Sequence, residues 1–217
     1  MIRKALQAAA FAACVSGCAA APQITGRDDF LKEATRTYQG ETTERVILAA
    51  QRVLDQSDPK YFEFRNTLNG FSGLRHYQVY AVVASATGSD RWDFTAEREP
   101  AGIKAAVTIT DVGAAQNGYT RTSYDAAMTS IPLFRLFWSR VEYVLGRSDN
   151  WQTCDDAVVQ FYDTKISADI ALGGLCGPTS HGRDNEPPER LPSLLKQPSA
   201  GAPAPKAARA KAQTSSN

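Results

Sequence analysis

Histidine is scarce: the 217-residue chain holds two. That leaves little material for a histidine-rich metal centre or a histidine-driven active site. No charge of one sign dominates, because 24 Lys and Arg face 23 Asp and Glu for a formal net charge of +1. Nothing therefore points to electrostatic binding of nucleic acid. No apolar run reaches the roughly 20 residues that span a bilayer as a helix. The sequence also lacks a Gly-x-Ser-x-Gly elbow, a His-Glu-x-x-His pair, a phosphate loop and an EF-hand loop. What is present is a hydrophobic fraction of 43%, too high for a wholly disordered chain. The length suits one domain with appendages.

The two ends differ from the middle. Arg3 and Lys4 precede a short apolar run over residues 5–15, the pattern of a secretory signal. Val15-Ser16-Gly17-Cys18 follows directly. A branched apolar residue, two small residues and a cysteine after such a run resemble the lipobox of bacterial lipoproteins. The resemblance covers residues 1–18. It implies that residues 1–17 are a removed signal peptide and that Cys14 leaves with them. Cys18 becomes the diacylated N-terminal residue, its amine acylated as well, and two or more palmitate-type chains give stable membrane attachment. The alternative is an ordinary cleaved signal with a chance cysteine, leaving a soluble protein. Ala19 and Ala20 stand where an Asp marks inner-membrane retention. The implied location is the cell envelope, lipid-anchored at the outer membrane and facing the periplasm.

Residues 187–217 hold 6 of the 11 prolines and carry a net charge of +4. With few apolar side chains to offset the entropy of ordering, this stretch reads as a disordered basic tail. It is either a solvated tail or a tether touching anionic polymer or lipid head groups. Pro192-Ser193-Leu194-Leu195 is its one apolar knot, able to dock elsewhere. Between the ends, residues 18–186 carry 17 basic and 22 acidic side chains, a net of −5.

Periodicity predicts an α+β body. Residues 42–56 carry Val46, Ala50, Val53 and Leu54 on one helical stripe. Thr42 or Thr43 caps its start and Asp58-Pro59 stops it. Four alternating segments follow, one polar face each, as in an antiparallel sheet covered on one side. Phe62 and Phe64 alternate with Glu63 and Arg65; Tyr77, Val79, Ala81 and Val83 with His76, Gln78, Tyr80 and Val82. Trp92, Phe94 and Ala96 alternate with Arg91, Asp93, Thr95 and Glu97; Ile103, Ala105, Val107 and Ile109 with Lys104, Thr108 and Thr110. Turns are expected at Asn69-Gly70, Gly88-Ser89-Asp90 and Pro100-Ala101-Gly102. Residues 111–129 read as a long connection. Residues 132–145 then form a helix with a wide aromatic stripe, capped by Ser130 and Gly146. Burying each such side chain contributes about 1.5–3 kcal/mol before entropy.

The expected order is helix, four-stranded antiparallel meander, then a long aromatic helix packed on one sheet face. Residues 18–40 are the lipidated tether, 41–148 the α+β domain and 149–186 an extension. In element order alone the body resembles small helix-grip domains of envelope lipoproteins, which carries over no functional residue.

Cys154 and Cys176 remain after processing, and in an oxidising compartment two leftover cysteines most often pair. The rival is a reactive thiol near His181, without an orienting third group. His76 reads as a polar strand position. The adjacent Asp155 and Asp156 suit a helix start. Two surfaces are candidates for binding: the outer sheet face with Tyr61, Arg65, His76, Gln78 and Tyr80, and a loop bearing Tyr119, Arg121 and Tyr124. The plainer reading is favoured for each: an ordinary polar sheet face for the first, and a turn packing its tyrosines on the body for the second. Trp92, Phe134, Phe137 and Trp138 would line a pocket if sheet and helix left one. No metal or cofactor is expected.

Three functions fit. The first is a non-enzymatic envelope scaffold or assembly component with a protein partner. The second is a carrier of lipid or another hydrophobic ligand. The third, a cell-wall hydrolase, needs carboxylates that sequence does not bring together.

Overall fold

A computed structural model of the chain describes residues 23–81, 84–117, 119–161, 172–176 and 186–193. The signal-like leader, Cys18, His181 and residues 194–217 lie outside the described residues.

The class is α+β, with six antiparallel strands where the alternation predicts four. The elements run α1 (Arg27–Ala34), β1 (Thr35–Tyr38), α2 (Thr43–Ser57), β2 (Phe62–Thr67), β3 (Gly70–Ala81) and β4 (Ala84–Glu99). They continue with β5 (Gly102–Asn117), β6 (Thr120–Ala127), α3 (Ile131–Val144) and α4 (Cys154–Phe161). The path across the sheet is β1-β5-β4-β3-β2, with β6 also on β5. β1 pairs with the start of β5, through Ile103–Ala106, and β6 with its end, through Thr110–Asn117.

Both helix signals hold locally. The Thr42 side chain accepts a hydrogen bond from the Arg45 amide at 3.4 Å, and α2 stops at Asp58. Gly146 takes a positive φ of 77° just past α3, where a side chain is disfavoured. α2 buries Val46, Ala49, Ala50, Val53 and Leu54, and α3 buries Leu133, Phe134, Leu136, Phe137, Trp138, Val141 and Val144. They close on Phe71, Trp92, Phe94, Ala96, Ile103, Ala105, Val107 and Ile109 from the sheet. The alternation therefore identifies the core face correctly.

The strands are longer than the sequence suggests. Gly88-Ser89-Asp90 is not a turn but the interior of β4, paired with Tyr77, His76 and Arg75 on one side and with Gly113, Val112 and Asp111 on the other. The reversal falls between Ala81 and Ala84, which pair with each other. Residues 111–129 are mostly strand, the end of β5 and all of β6. Residues 27–38, placed by sequence in the tether, form α1 and β1, and Tyr38 is buried.

The first residues of the basic tail are ordered. Leu191 is buried, and its amide donates to the Val144 carbonyl at 2.8 Å. Arg52 donates to the Glu189 carbonyl at 2.7 Å and Arg45 to the Pro192 carbonyl. Residues 186–193 thus lie as a strap across the α2–α3 pair.

Length decides what the helices leave bare. β4 and β5 have 16 residues each, about 53 Å at the usual strand rise. α2 and α3, at 15 and 14 residues, are about 21–22 Å long. The far halves of β3, β4 and β5, together with β6, project as a four-stranded arm. Among residues 76–78, 80, 85–89, 111–116 and 119–127, none is buried.

Candidate interaction surface

The arm is built in rows on the face that continues the core. The innermost row is Gly73, Trp92 and Ile109, one residue each from β3, β4 and β5. Next come Arg75, Asp90 and Asp111, and then Tyr77, Gly88 and Gly113 with Tyr124 of β6. Moving outward, apolar core gives way to buried charge and then to tyrosine over glycine.

The charged row is tight. Arg75 Nε donates to Asp90 Oδ2 at 2.8 Å, and its second terminal nitrogen lies 2.7 Å from the same oxygen. Asp58, the buried residue that ends α2, approaches the guanidinium at 3.5 Å. Burial pushes the Asp90 carboxyl up to about 6, although Arg75 pulls the other way. Asp111 is raised by burial too, opposed by its hydrogen bond from Tyr77 and by Arg75.

Residues 172–176 close this row. An added Cβ on Gly174 would stand 2.7 Å from Asp90 Oδ2 and 3.5 Å from both Arg75 Nε and Trp92 Nε1, so the backbone presses on the pair. The turn is held by the Cys154–Cys176 disulfide, whose Cα atoms are 5.7 Å apart. Arg140, itself buried, donates to the Leu175 carbonyl at 3.4 Å and to the Gln152 carbonyl at 2.9 Å. Thr153 and Asp156 exchange side-chain to backbone hydrogen bonds at the start of α4. One member of the Asp155-Asp156 pair thus does cap a helix.

The tyrosine row is half-exposed. Tyr77 Oη donates to Asp111 Oδ1 at 2.8 Å and meets the Tyr124 hydroxyl. Burial, with Tyr124 and Asp111 beside it, holds the Tyr77 phenol well above its ordinary range. The glycines beneath are required by space. A Cβ at Gly88 would lie 2.6 Å from Tyr77 Oη, and one at Gly113 would lie 2.5 Å from Tyr124 Oη.

The sequence-derived surfaces are partly assembled. His76, Gln78 and Tyr80 share the outer face of β3, all exposed, with the Gln78 amide donating to the Tyr80 hydroxyl. Arg65 lies opposite Ser72, about 13 Å along the sheet from His76. Tyr61 sits before β2 with the Lys60 ammonium 4.9 Å above its ring. The expected loop of Tyr119, Arg121 and Tyr124 is instead the tip and first turns of pleat of the β5–β6 hairpin. Tyr119 is fully exposed, Arg121 points to the outer face and Tyr124 to the opposite one, so the three do not form one patch.

The four residues proposed to line a pocket fill the core instead. Trp92, Phe134, Phe137 and Trp138 are at most 1% exposed. Phe137 contacts Trp138 at 4.9 Å and Trp92 at 5.4 Å between ring centroids. Depressions do occur elsewhere. One of about 600 Å³ lies on the outer face of the arm, among Thr87, Val112, Ala114, Arg121, Ser123 and Asp125. Another of about 580 Å³ lies under the strap, where Glu41 ties Arg45 at 2.8 Å and Arg147 at 3.7 Å. Among the described residues, no group of three or more His, Cys, Asp or Glu side chains is placed to hold a metal, and no helix is long and apolar enough to cross a membrane.

The ionic and tyrosine rows escaped sequence reasoning because their members come from four strands. One available signal was Asn117-Gly118, a hairpin dipeptide inside the supposed connection. Comparison with family models, with curated proteins and with solved structures finds no match for this chain.

Proposed function

We propose that the protein is a non-enzymatic scaffold of the cell envelope, held at the membrane through acylated Cys18, that presents its β-arm to a protein partner. The observation that carries this reading is the arm itself. Four strands continue past the helix layer with Tyr80 and Tyr119 exposed towards one end. Exposed tyrosines on a rigid scaffold suit protein contacts, since they offer large area with little rotamer entropy to lose. The lipobox-like Val15-Ser16-Gly17-Cys18 supports lipid anchorage, and Ala19 and Ala20 after it favour the outer membrane. The net charge of +4 over residues 187–217 suits contact with anionic polymer or lipid. A carrier of hydrophobic ligands is disfavoured because the aromatic side chains that would line its pocket are packed against one another.

Two measurements test the proposal. Cys18→Ser should release the protein from membranes, and retention of that variant would remove the anchor. A photo-crosslinking residue at position 80 or 119 should trap one discrete envelope protein, while the same residue at exposed Leu48 on α2 should not. Absence of any arm-specific adduct in intact cells would overturn the docking role.

A further inference from the structure

β6 is an edge strand that lacks most of the usual protection and carries only the charges of Arg121 and Asp125. Its register with β5 runs unbroken from Thr110↔Ala127 to Asn117↔Thr120, so it has no bulge. The stretch Thr120–Ala127, TRTSYDAA, has neither proline nor lysine. No described strand pairs with its other edge. Proteins normally blunt such an edge, because unpaired main-chain groups recruit another strand.

The direction of those groups follows from one hydrogen bond. Met128 N donates to the Ile109 carbonyl at 2.9 Å, one step beyond the last β5–β6 pair. Main-chain donor and acceptor of one residue face the same side of an antiparallel strand and alternate along it. Even-numbered β6 residues therefore bond β5, and Arg121, Ser123 and Asp125 aim their N–H and C=O groups outward. The side chains of these three are exposed on the outer face of the arm. Arg121 and Asp125 are about 13 Å apart along the strand, too far to pair with each other. Neither has an ion pair among the described residues.

We propose that β6 is a self-complementary docking edge, through which a second copy of the chain pairs antiparallel about a two-fold axis at Ser123. That centre sets Arg121 opposite the partner's Asp125, and Asp125 opposite the partner's Arg121. A two-fold centred on Arg121 or on Asp125 would oppose like charges, and one on Thr122 or Tyr124 would leave both charges without an opposite. Directly opposite charges on neighbouring strands attract and like ones repel, so charge selects the register. In it Arg121, Ser123 and Asp125 all find main-chain partners, and the two arms join into one continuous sheet. Thr122 comes beside the partner's Tyr124 on the other face, extending the tyrosine row. The inference needs neither the lipid anchor nor a foreign partner.

The experiment uses the purified full chain carrying Ser123→Cys, with a mild added oxidant. Opposed residues of a hydrogen-bonded antiparallel pair have Cα atoms about 5.5 Å apart, within disulfide reach. A covalent dimer is expected at position 123 and not for Ser89→Cys on the interior strand β4. Arg121→Asp or Asp125→Arg, each added to Ser123→Cys, should lower the dimer yield at least tenfold. The double reversal should restore it. Fluorescence of the buried tryptophans reports that each variant is folded. A folded Ser123→Cys chain that stays monomeric, or a dimer yield indifferent to the single reversals, would overturn the proposal.

Discussion

Tyr77 of β3 and Tyr124 of β6 meet hydroxyl to hydroxyl across two intervening strands, each ring lying over a glycine of β4 or β5. Strands β4 and β5 are spanned because Gly88 and Gly113 pair with each other and carry no side chain. Gly88→Ala or Gly113→Ala is expected to cost about 1–3 kcal/mol through overpacking. The added Cβ also meets backbone, the Val112 carbonyl oxygen at 2.7 Å or the Thr87 carbonyl oxygen at 2.6 Å, so side-chain motion alone cannot relieve it. Tyr77→Phe keeps the ring but strands Asp111 and the Tyr124 hydroxyl, at about 1–2 kcal/mol. Chemical denaturation of the three variants checks both values.

The buried carboxylates give stability an acid-side maximum. Asp90, raised to about 6 by burial, binds a proton more readily in the folded chain than in the unfolded one, where Asp titrates near 3.9. Its share of stability is complete below the unfolded value and is lost as pH rises through about 6. Asp111, also raised by burial, acts in the same sense. Glu33 acts oppositely: the hydrogen bond from Arg135 lowers it, so its share is lost as pH falls through the folded value. Stability should therefore rise as pH falls from about 7.5 towards about 4.5, and the Glu33 loss should oppose that gain only below it. Thermal melts across that range should show the rising limb in the native chain, by at most about 3 kcal/mol. Asp90→Asn should flatten it, and an unchanged rising limb in that variant would contradict the assignment.

Reducing Cys154–Cys176 should destabilise the chain by about 3 kcal/mol, from the loop its 22-residue separation closes. The consequence should reach beyond the loop, because residues 172–176 cover Trp92 and the Arg75–Asp90 pair. Tryptophan emission should shift to longer wavelength on reduction. Gly174→Ala should do the same with the disulfide intact, since Gly174 has a φ of 70° and a Cβ there meets Asp90.

Arg140 holds the same turn from below. Its guanidinium bonds Leu175, Gln152 and the Ser57 hydroxyl, and lies 4.7 Å above the Trp151 ring. Arg140→Met should cost at least about 2 kcal/mol, because buried acceptors lose their donor. It should also speed thiol release under mild reductant, measured by trapping Cys154 and Cys176.

Local pattern determined a good deal by itself. The period of two at Trp92, Phe94 and Ala96, and at Ile103, Ala105, Val107 and Ile109, identified the buried sheet face, because alternation is a property of the strand alone. Thr42 and Gly146 marked helix ends through contacts within a few residues, and the cysteine arithmetic anticipated the Cys154–Cys176 bridge. Tertiary structure decided the rest. Gly88-Ser89-Asp90 has turn chemistry, yet it is strand because Tyr77 needs the space above Gly88 and Arg75 needs Asp90. The aromatic stripe on α3 suited a core, with a pocket as the alternative, and only the approach of Trp92 and Phe94 decided for core. The arm, its tyrosine row and the bare edge of β6 depend on which strands become neighbours. That choice rests on pairing between residues tens of positions apart, which no window along the chain contains.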